Sequence, residues 1–296
     1  MKMKNDILQV TKLNKRFDKF EIKDVDFSIE KGTVMGLIGQ NGSGKTTIIK
    51  LIMNVFGRNS GSISANINGE ELDNLRDEIR FKDSIGYVAD EDYLYYNSTL
   101  ACYAKAFEAV YSSWDGELFE SLCEKWKLEK TKKFSTFSKG MKTKAMLALT
   151  LAHKPELLIL DEPTSGLDPV ARIEVLDLLR DFVSDGEKSV LFSTHITGDL
   201  DKIADYITMI NNGRVLESMS VDKIEEKYAV ICGDISDLGE NRKLLIGVRE
   251  TGGSFEGLVL RKNISEFKNV SVKNPNVENL LTFSIWCSGQ EVSHND

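Results

Sequence analysis

One octapeptide limits this chain more than any other feature. Gly39-Gln40-Asn41-Gly42-Ser43-Gly44-Lys45-Thr46 fits the pattern G-x-x-x-x-G-K-[ST]. The buried-strand run VMGLI precedes it and the compact apolar run TTIIKLIMNVF, a predicted helix, follows it. Strand, glycine-rich loop and helix in that order make an anion site. Glycines let the backbone curl until successive N–H groups point at one place. The helix N-terminus adds about half a positive charge there. Gly39, Asn41, Gly42, Ser43 and Gly44 would form the cradle. Lys45 would reach β- and γ-phosphates, the Thr46 hydroxyl would ligand Mg²⁺, and Thr47 would donate to an α-phosphate.

A second apolar strand, LLILDEP, ends on two acids. Asp161 is placed to hold Mg²⁺ through water, and Glu162, one residue on, to orient and polarise an attacking water. An acidic turn capping a strand would look the same in isolation; the phosphate loop upstream gives the pair its meaning. His195 closes the next apolar strand, LFSTH. Parallel neighbours bring their C-terminal ends to one sheet edge, where ligands of such folds bind. A histidine there can hydrogen-bond a γ-phosphate, whereas His153, at a helix end before Pro155, and His294, in the tail, read as structural.

Composition bounds the rest. With 38 Lys and Arg against 46 Asp and Glu, the 296-residue chain carries a formal charge of −8. An acidic chain lacks the cationic excess of a nucleic-acid binder, so no nucleic-acid partner is expected. At 41 % hydrophobic residues it is no disordered chain. The start, MKMKNDILQV, lacks the apolar core of a signal peptide. No stretch approaches the ~20 apolar residues that cross a bilayer, so work at a membrane would need another chain to do the crossing. Cys102, Cys123, Cys232 and Cys287 are scattered, which argues against zinc or a disulfide framework and for reduced thiols in the cytosol.

Residues 7–38 alternate apolar runs with charges and read as strands. Residues 98–154 carry apolar spacings of three and four and read as three helices. PELLILDEP and SVLFST are buried strands, VARIEVLDLLRDFVSDG a helix ending at Gly186, and YITMINNGRVLES a hairpin turning on Asn-Gly. Strands alternating with helices predict an α/β fold on a largely parallel sheet. Residues 230–296 show weaker strands and no long helical stretch; they predict a small α+β extension.

With order and spacing taken together, the chain resembles the ATP-binding-cassette (ABC) ATPases over residues 7 to about 218. The resemblance implies a P-loop NTPase cassette: a mostly parallel sheet core plus an antiparallel β part, with an inserted helical subdomain. Residues 1–220 would form the ATPase domain, with the helical part at about 91–155, and 221–296 an accessory region. By the same resemblance Phe17 stacks on adenine, residues 39–46 are Walker A, and Asp161 and Glu162 are Walker B and the catalytic glutamate. Ser138 and Gly140, in FSKGM where the family has LSGGQ, are the signature pair that meets phosphate. Residues 165–168 are the D-loop and His195 the switch histidine. Asp90, followed by Glu91, stands where the family usually has Gln, and it can still approach Mg²⁺. Lys139 and Met141 replace Gly and Gln in the signature.

The implied machine is a head-to-tail dimer. ATP lies between the Walker A loop of one subunit and the signature of the other, and hydrolysis reopens the pair. The single cassette looks most like the ATPase of a bacterial exporter, peripheral on the cytoplasmic face of the membrane, beside a separate transmembrane permease. Repair and chromosome ABC ATPases carry long coiled coils and translation members two cassettes in one chain; neither pattern occurs here. A regulatory or assembly ATPase without transport stays open. Two further features are singled out. Between Lys125 and Lys144 lie eight lysines and one acid, Glu129, either an electropositive rim or a solvated face. Tyr93, Tyr95 and Tyr96 form a candidate permease contact or ordinary packing.

Overall fold

In the computed structural model the described residues are 5–90 and 97–290. The N-terminal part forms an antiparallel sheet in the order β2-β1-β4-β5. It comprises β1 (Asp6–Arg16), β2 (Glu21–Glu30), β4 (Ser60–Ile67) and β5 (Glu70–Asp73). Between them run β3 (Val34–Ile38) and α1 (Lys45–Ile52); α2 (Glu78–Asp83) and β6 (Ile85–Val88) follow. Three helices come next, α3 (Leu100–Val110), α4 (Gly116–Lys125) and α5 (Lys139–Ala152). The chain then alternates through β7 (Leu157–Asp161), α6 (Pro169–Val183), β8 (Ser189–Thr194) and α7 (Thr197–Ile203). The hairpin β9 (Tyr206–Asn211) and β10 (Arg214–Ser220) ends this part.

The central sheet has the order β10-β9-β3-β8-β7-β6. All its pairings are parallel except β10 with β9. Every residue of β3, β7 and β8 is buried, which is what a parallel sheet covered on both faces requires. The period of two divides these strands between two cores. Leu157, Ile159 and Leu191 face the antiparallel sheet and α1. Leu158, Leu160, Val190 and Phe192 face the helices, with Leu147, Phe134 and Phe119. Helix starts follow capping chemistry: Thr99, Asp115, Ser138 and Asp168 each accept a backbone N–H from the first turn.

After α8 (Asp222–Lys227) a second antiparallel sheet, β12-β13-β11-β14, is built from β11 (Tyr228–Asp234), β12 (Leu245–Thr251), β13 (Ser254–Leu260) and β14 (Ser271–Lys273). The chain then enters α9 (Val277–Gln290), a 14-residue helix. The expectation of no long helix after residue 230 is thus corrected. Ser, Thr and Gly among the apolar residues blur the 3.6 period, yet Val277, Leu280 and Phe283 are fully buried. Asn276 opens the helix, its Oδ1 accepting from Asn279 N at 2.9 Å. These three residues, with Tyr228, Val230 and Leu258, join the apolar cluster that also holds α5 and one face of β7. The helix expected to run to Gly186 ends at Val183.

Candidate functional site

The C-terminal ends of β3, β7 and β8 reach the same sheet edge, and the loops leaving them build the site. The loop after β3 needs glycine. At Gly44, the N-cap of α1, φ is +116°, and an added Cβ would lie 2.9 Å from Ile22 and 3.0 Å from Phe20. The β9–β10 hairpin backs this loop: Gly213 N donates to Ser43 O at 2.8 Å, and Lys23 N donates to Gly213 O at 2.9 Å. Asn212 and Gly213 both have positive φ, and a Cβ at Gly213 would sit 1.8 Å from Glu21 O. That tight turn admits only glycine. The Ser43 hydroxyl is buried inside the loop without a hydrogen-bond partner among the described residues.

Lys45 is 6 % exposed. Its Nζ donates to Gly39 O at 2.8 Å and Gln40 O at 3.3 Å, and lies 3.5 Å from Glu162 Oε1. The other oxygen of Glu162 meets His195 Nδ1 at 2.8 Å. Glu162 therefore stands between an ammonium and an imidazole, 11 % exposed, with His195 open to solvent. Its backbone is left-handed, φ +51°, which costs a non-glycine residue about 1–2 kcal/mol. Glu162 N is held by Ser193 O at 3.1 Å and Ser193 Oγ at 3.0 Å. The same hydroxyl donates to Asp161 Oδ1, fixing both acids against β8.

A cleft of about 380 Å³ opens over the loop. Of the residues expected from the sequence, Asn41, Gly42, Gly44, Lys45, Thr46, Thr47, Asp90, Glu162 and His195 line it. Gly39 and Ser43 lie buried beneath. Asp161 opens onto the adjoining cleft with Asp90 and Glu162. A threonine hydroxyl and these carboxylates are hard oxygen donors, the chemistry that suits Mg²⁺ beside a phosphate.

Besides Gly39, Ser43 and Asp161, three further expected residues do not line this cleft. Phe17 stands back from it, stacked on Phe20 at 6.5 Å and edge-on to Phe56 at 5.7 Å. Phe20 lines the cleft instead, and sequence reasoning missed it. The missed signal is local: Phe17 N bonds Phe20 O, so a tight turn makes the two rings neighbours. Ser138 and Gly140 also lie outside. Ser138 is the exposed N-cap of α5, its Oγ accepting from Met141 N at 3.3 Å. Gly140 faces Leu167 and Ala171. Ser165, at the other rim of the cleft, was read only as part of the D-loop.

The lysine-rich stretch is partly neutralised in place: Lys130 pairs with Glu120, Lys132 with Glu129 and Lys144 with Glu174. His153 is buried and stacked on Tyr111 at 4.2 Å; burial holds its pKa down at about 4. Glu91, Tyr93, Tyr95, Tyr96 and His294 lie outside the described residues. Among the described residues no helix is long and apolar enough to cross a membrane.

Residues 22–165 match the family model described as ABC transporter. The chain is 31 % identical over 226 residues to the ABC transporter ATP-binding protein YtrB of Bacillus subtilis, covering 76 % of each. It is 33 % identical over 222 residues to the lantibiotic transport ATP-binding protein SrtF of Streptococcus pyogenes, covering 74 % of this chain and 93 % of that one. The solved ATP-binding subunit of an ABC transporter superposes with a TM-score of 0.67 at 28 % identity, over 74 % of this chain and 92 % of that one. A dimeric ATP-binding cassette bound to ADP and Pi shares the fold, with a TM-score of 0.62 at 21 % identity over 72 % of this chain and 98 % of that one. With the loop of β3 and the acids of β7 at one sheet edge, the chain belongs to the ABC transporter ATP-binding proteins: it is an ATP-binding ATPase subunit of a transport system.

Proposed function

We propose that this ATPase powers an exporter, with its nucleotide site completed by a second cassette. The observation that carries this reading is a divided site. Lys45, Glu162 and His195 converge over the phosphate loop, while Ser138 and Gly140 of the same chain stand outside that cleft. The signature pair then has a ligand only on another subunit, as a head-to-tail dimer supplies. Export as the direction is supported by relatives whose names state transport of lantibiotics and bacitracin.

Each side chain has a role in this reading. The N–H groups of residues 41–47 and the Lys45 ammonium bind the phosphates. Phosphate oxygens draw Lys45 away from Glu162, and the freed carboxylate orients a water and accepts its proton. His195 donates to the γ-phosphate and holds Glu162 in register. Thr46 and Asp161, with Asp90 close by, would hold Mg²⁺, which would supply positive charge to the phosphates. Phe20, with Phe17 behind it, offers the adenine ring a stacking face. Ser138 and the first N–H groups of α5 close on the partner's ATP, so binding energy drives dimerisation.

We assign the ATPase domain to residues 1–220, its helical part to about 91–155, and the accessory region to 221–296. The chain works from the cytoplasmic face, bound to a separate permease. A mostly apolar groove of about 300 Å³ beside α3 and the end of α1, lined by Met53, Val55, Phe107 and Tyr111 together with Lys82, Thr150 and His153, suits an amphipathic helix of that permease. Val55 there is 57 % exposed. The test is Glu162→Gln. It should keep ATP binding, lose turnover by at least about 100-fold, and run as a dimer with ATP in gel filtration. Near-parental turnover, or a monomer with ATP, would refute the assignment.

A further inference from the structure

Two residues after Glu162 and four after His195 the chain buries a polar pair that the site as described does not use. Asp199, in the first turn of α7, has no exposed surface, and Thr164 is 1 % exposed. The Thr164 hydroxyl donates to Asp199 Oδ2 at 2.7 Å. Arg172 Nε, from α6, donates to Asp199 Oδ1 at 2.6 Å. Both carboxylate oxygens are taken and the charge is matched, which is what lets a carboxylate stay fully buried. Neither Asp199 nor Thr164 lines the nucleotide cleft.

The segments joined are the two that carry the hydrolytic side chains. Thr164 belongs to the turn after β7, whose Glu162 holds the left-handed backbone. Strain of this kind persists only where the surroundings over-determine it. On one side Ser193 grips the Glu162 N–H. On the other, Ser165 N donates to Glu162 O at 3.1 Å, and the neighbouring Thr164 is tied to Asp199. Asp199 in turn opens the helix that follows His195. Arg172 brings in α6, whose N-cap Asp168 closes the D-loop.

Resting on the reading of Glu162 and His195 as the hydrolytic pair, we propose that Asp199, with Thr164 and Arg172, is a positioning group for ATP hydrolysis. It holds Glu162 in its left-handed conformation and fixes its distance to His195. Through α6 it ties that distance to the D-loop, the segment that borders the cleft at Ser165. When the link is cut, Glu162 relaxes toward an ordinary backbone conformation and its carboxylate leaves the water. ATP binding, set by residues 39–47, stays.

The experiment uses the full chain carrying Thr164→Val, which keeps the shape and removes the hydroxyl, Thr164→Ser, which restores it, and Arg172→Gln at a partly exposed position. Thr164→Val and Arg172→Gln should each lower ATP turnover by about tenfold or more, the scale of a small misplacement of a reacting group. Affinity for a fluorescent ATP analogue should change less than twofold, and Thr164→Ser should recover turnover to within about threefold of the parent. Parental turnover in both Thr164→Val and Arg172→Gln would overturn the proposal. So would affinity falling in step with turnover, or failure of Thr164→Ser to recover it. Glu162→Gln, assayed alongside, separates the two levels: if it is active the hydrolytic pair is misassigned, whereas if it is dead and both link variants are parental only the positioning role falls.

Discussion

The sheet edge proposed to bind nucleotide and the sheet formed by residues 228–273 are filled with different material. Around the first, Ser43, Lys45, Asp161, Thr164, Ser193, Thr194 and Asp199 are all buried. Among the described residues, no buried polar or charged side chain lies beyond Thr208. The interior of the C-terminal sheet and α9 is Val230, Ile231, Phe255, Leu258, Val259, Leu280 and Phe283, apolar throughout. Burying polar groups costs free energy unless each finds a partner. The largest group of them gathers at one edge, beside strained Glu162 and a glycine loop with positive φ angles, while Asn74, Thr150, His153 and Ser189 are buried elsewhere in the chain before residue 220. Polar burial is concentrated beside the candidate site, and the described C-terminal residues are packed with apolar side chains instead.

Four measurements press on that contrast, in falling order of effect. Phe283→Ala removes a ring that is 3 % exposed and should cost about 3–5 kcal/mol in denaturant unfolding. ATP affinity of the folded variant should be unchanged; a tenfold loss would mean that the C-terminal packing shapes the site. Lys45→Ala should act in the opposite way. It removes one partner of a buried charge contact and should weaken ATP binding by about 2–5 kcal/mol in calorimetry. Unchanged affinity would end the phosphate-loop assignment. Phe20→Ala should weaken ATP binding by about 1–3 kcal/mol, the scale of a base stacked on an aromatic ring, and Phe17→Ala by less. A reversed order would return the adenine to Phe17.

His153 is one of the buried polar residues away from the edge. Its folded pKa, about 4, lies below the ordinary 6.5 because burial disfavours the charged ring. Between those values the unfolded chain binds the extra proton. Stability is therefore full above pH 6.5 and falls as pH drops toward 4, by at most about 1.4 kcal/mol per unit. His153→Phe should flatten that slope and leave ATP turnover alone. A slope that survives the substitution would place the titrating group elsewhere.

Legibility follows the same division. Residues 39–46, Asp161, Glu162 and His195 were readable as one cluster because each stands at the end of an apolar strand, and the structure brings those ends to one edge. The continuous apolar runs of β3, β7 and β8, spaced along the chain by helices, predicted the parallel sheet, since both faces had to be covered. Long-range support was not readable. The Asn212-Gly213 turn could be read as a hairpin, but not as the backstop of Ser43. Asp199 in GDLDKIAD looks like a solvated helix start, and only its burial against Thr164 and Arg172 shows otherwise. Phe20 was hidden by a turn that no periodicity announces. α9 escaped because small polar residues dilute its apolar stripe, and packing against β12 and α7 decides its fate.

The place of β3 in the sheet has a consequence for how the protein is made. Its two strand neighbours are β8 and β9, and its loop is hydrogen-bonded by Gly213, so all its backbone pairing partners in the sheet are synthesised long after it. At about 5–20 residues per second the ribosome needs roughly ten to thirty seconds between finishing the loop and finishing that support. Throughout that interval VMGLI lacks both of its strand neighbours. The third strand of the chain is thus paired on both sides only once its ninth has emerged.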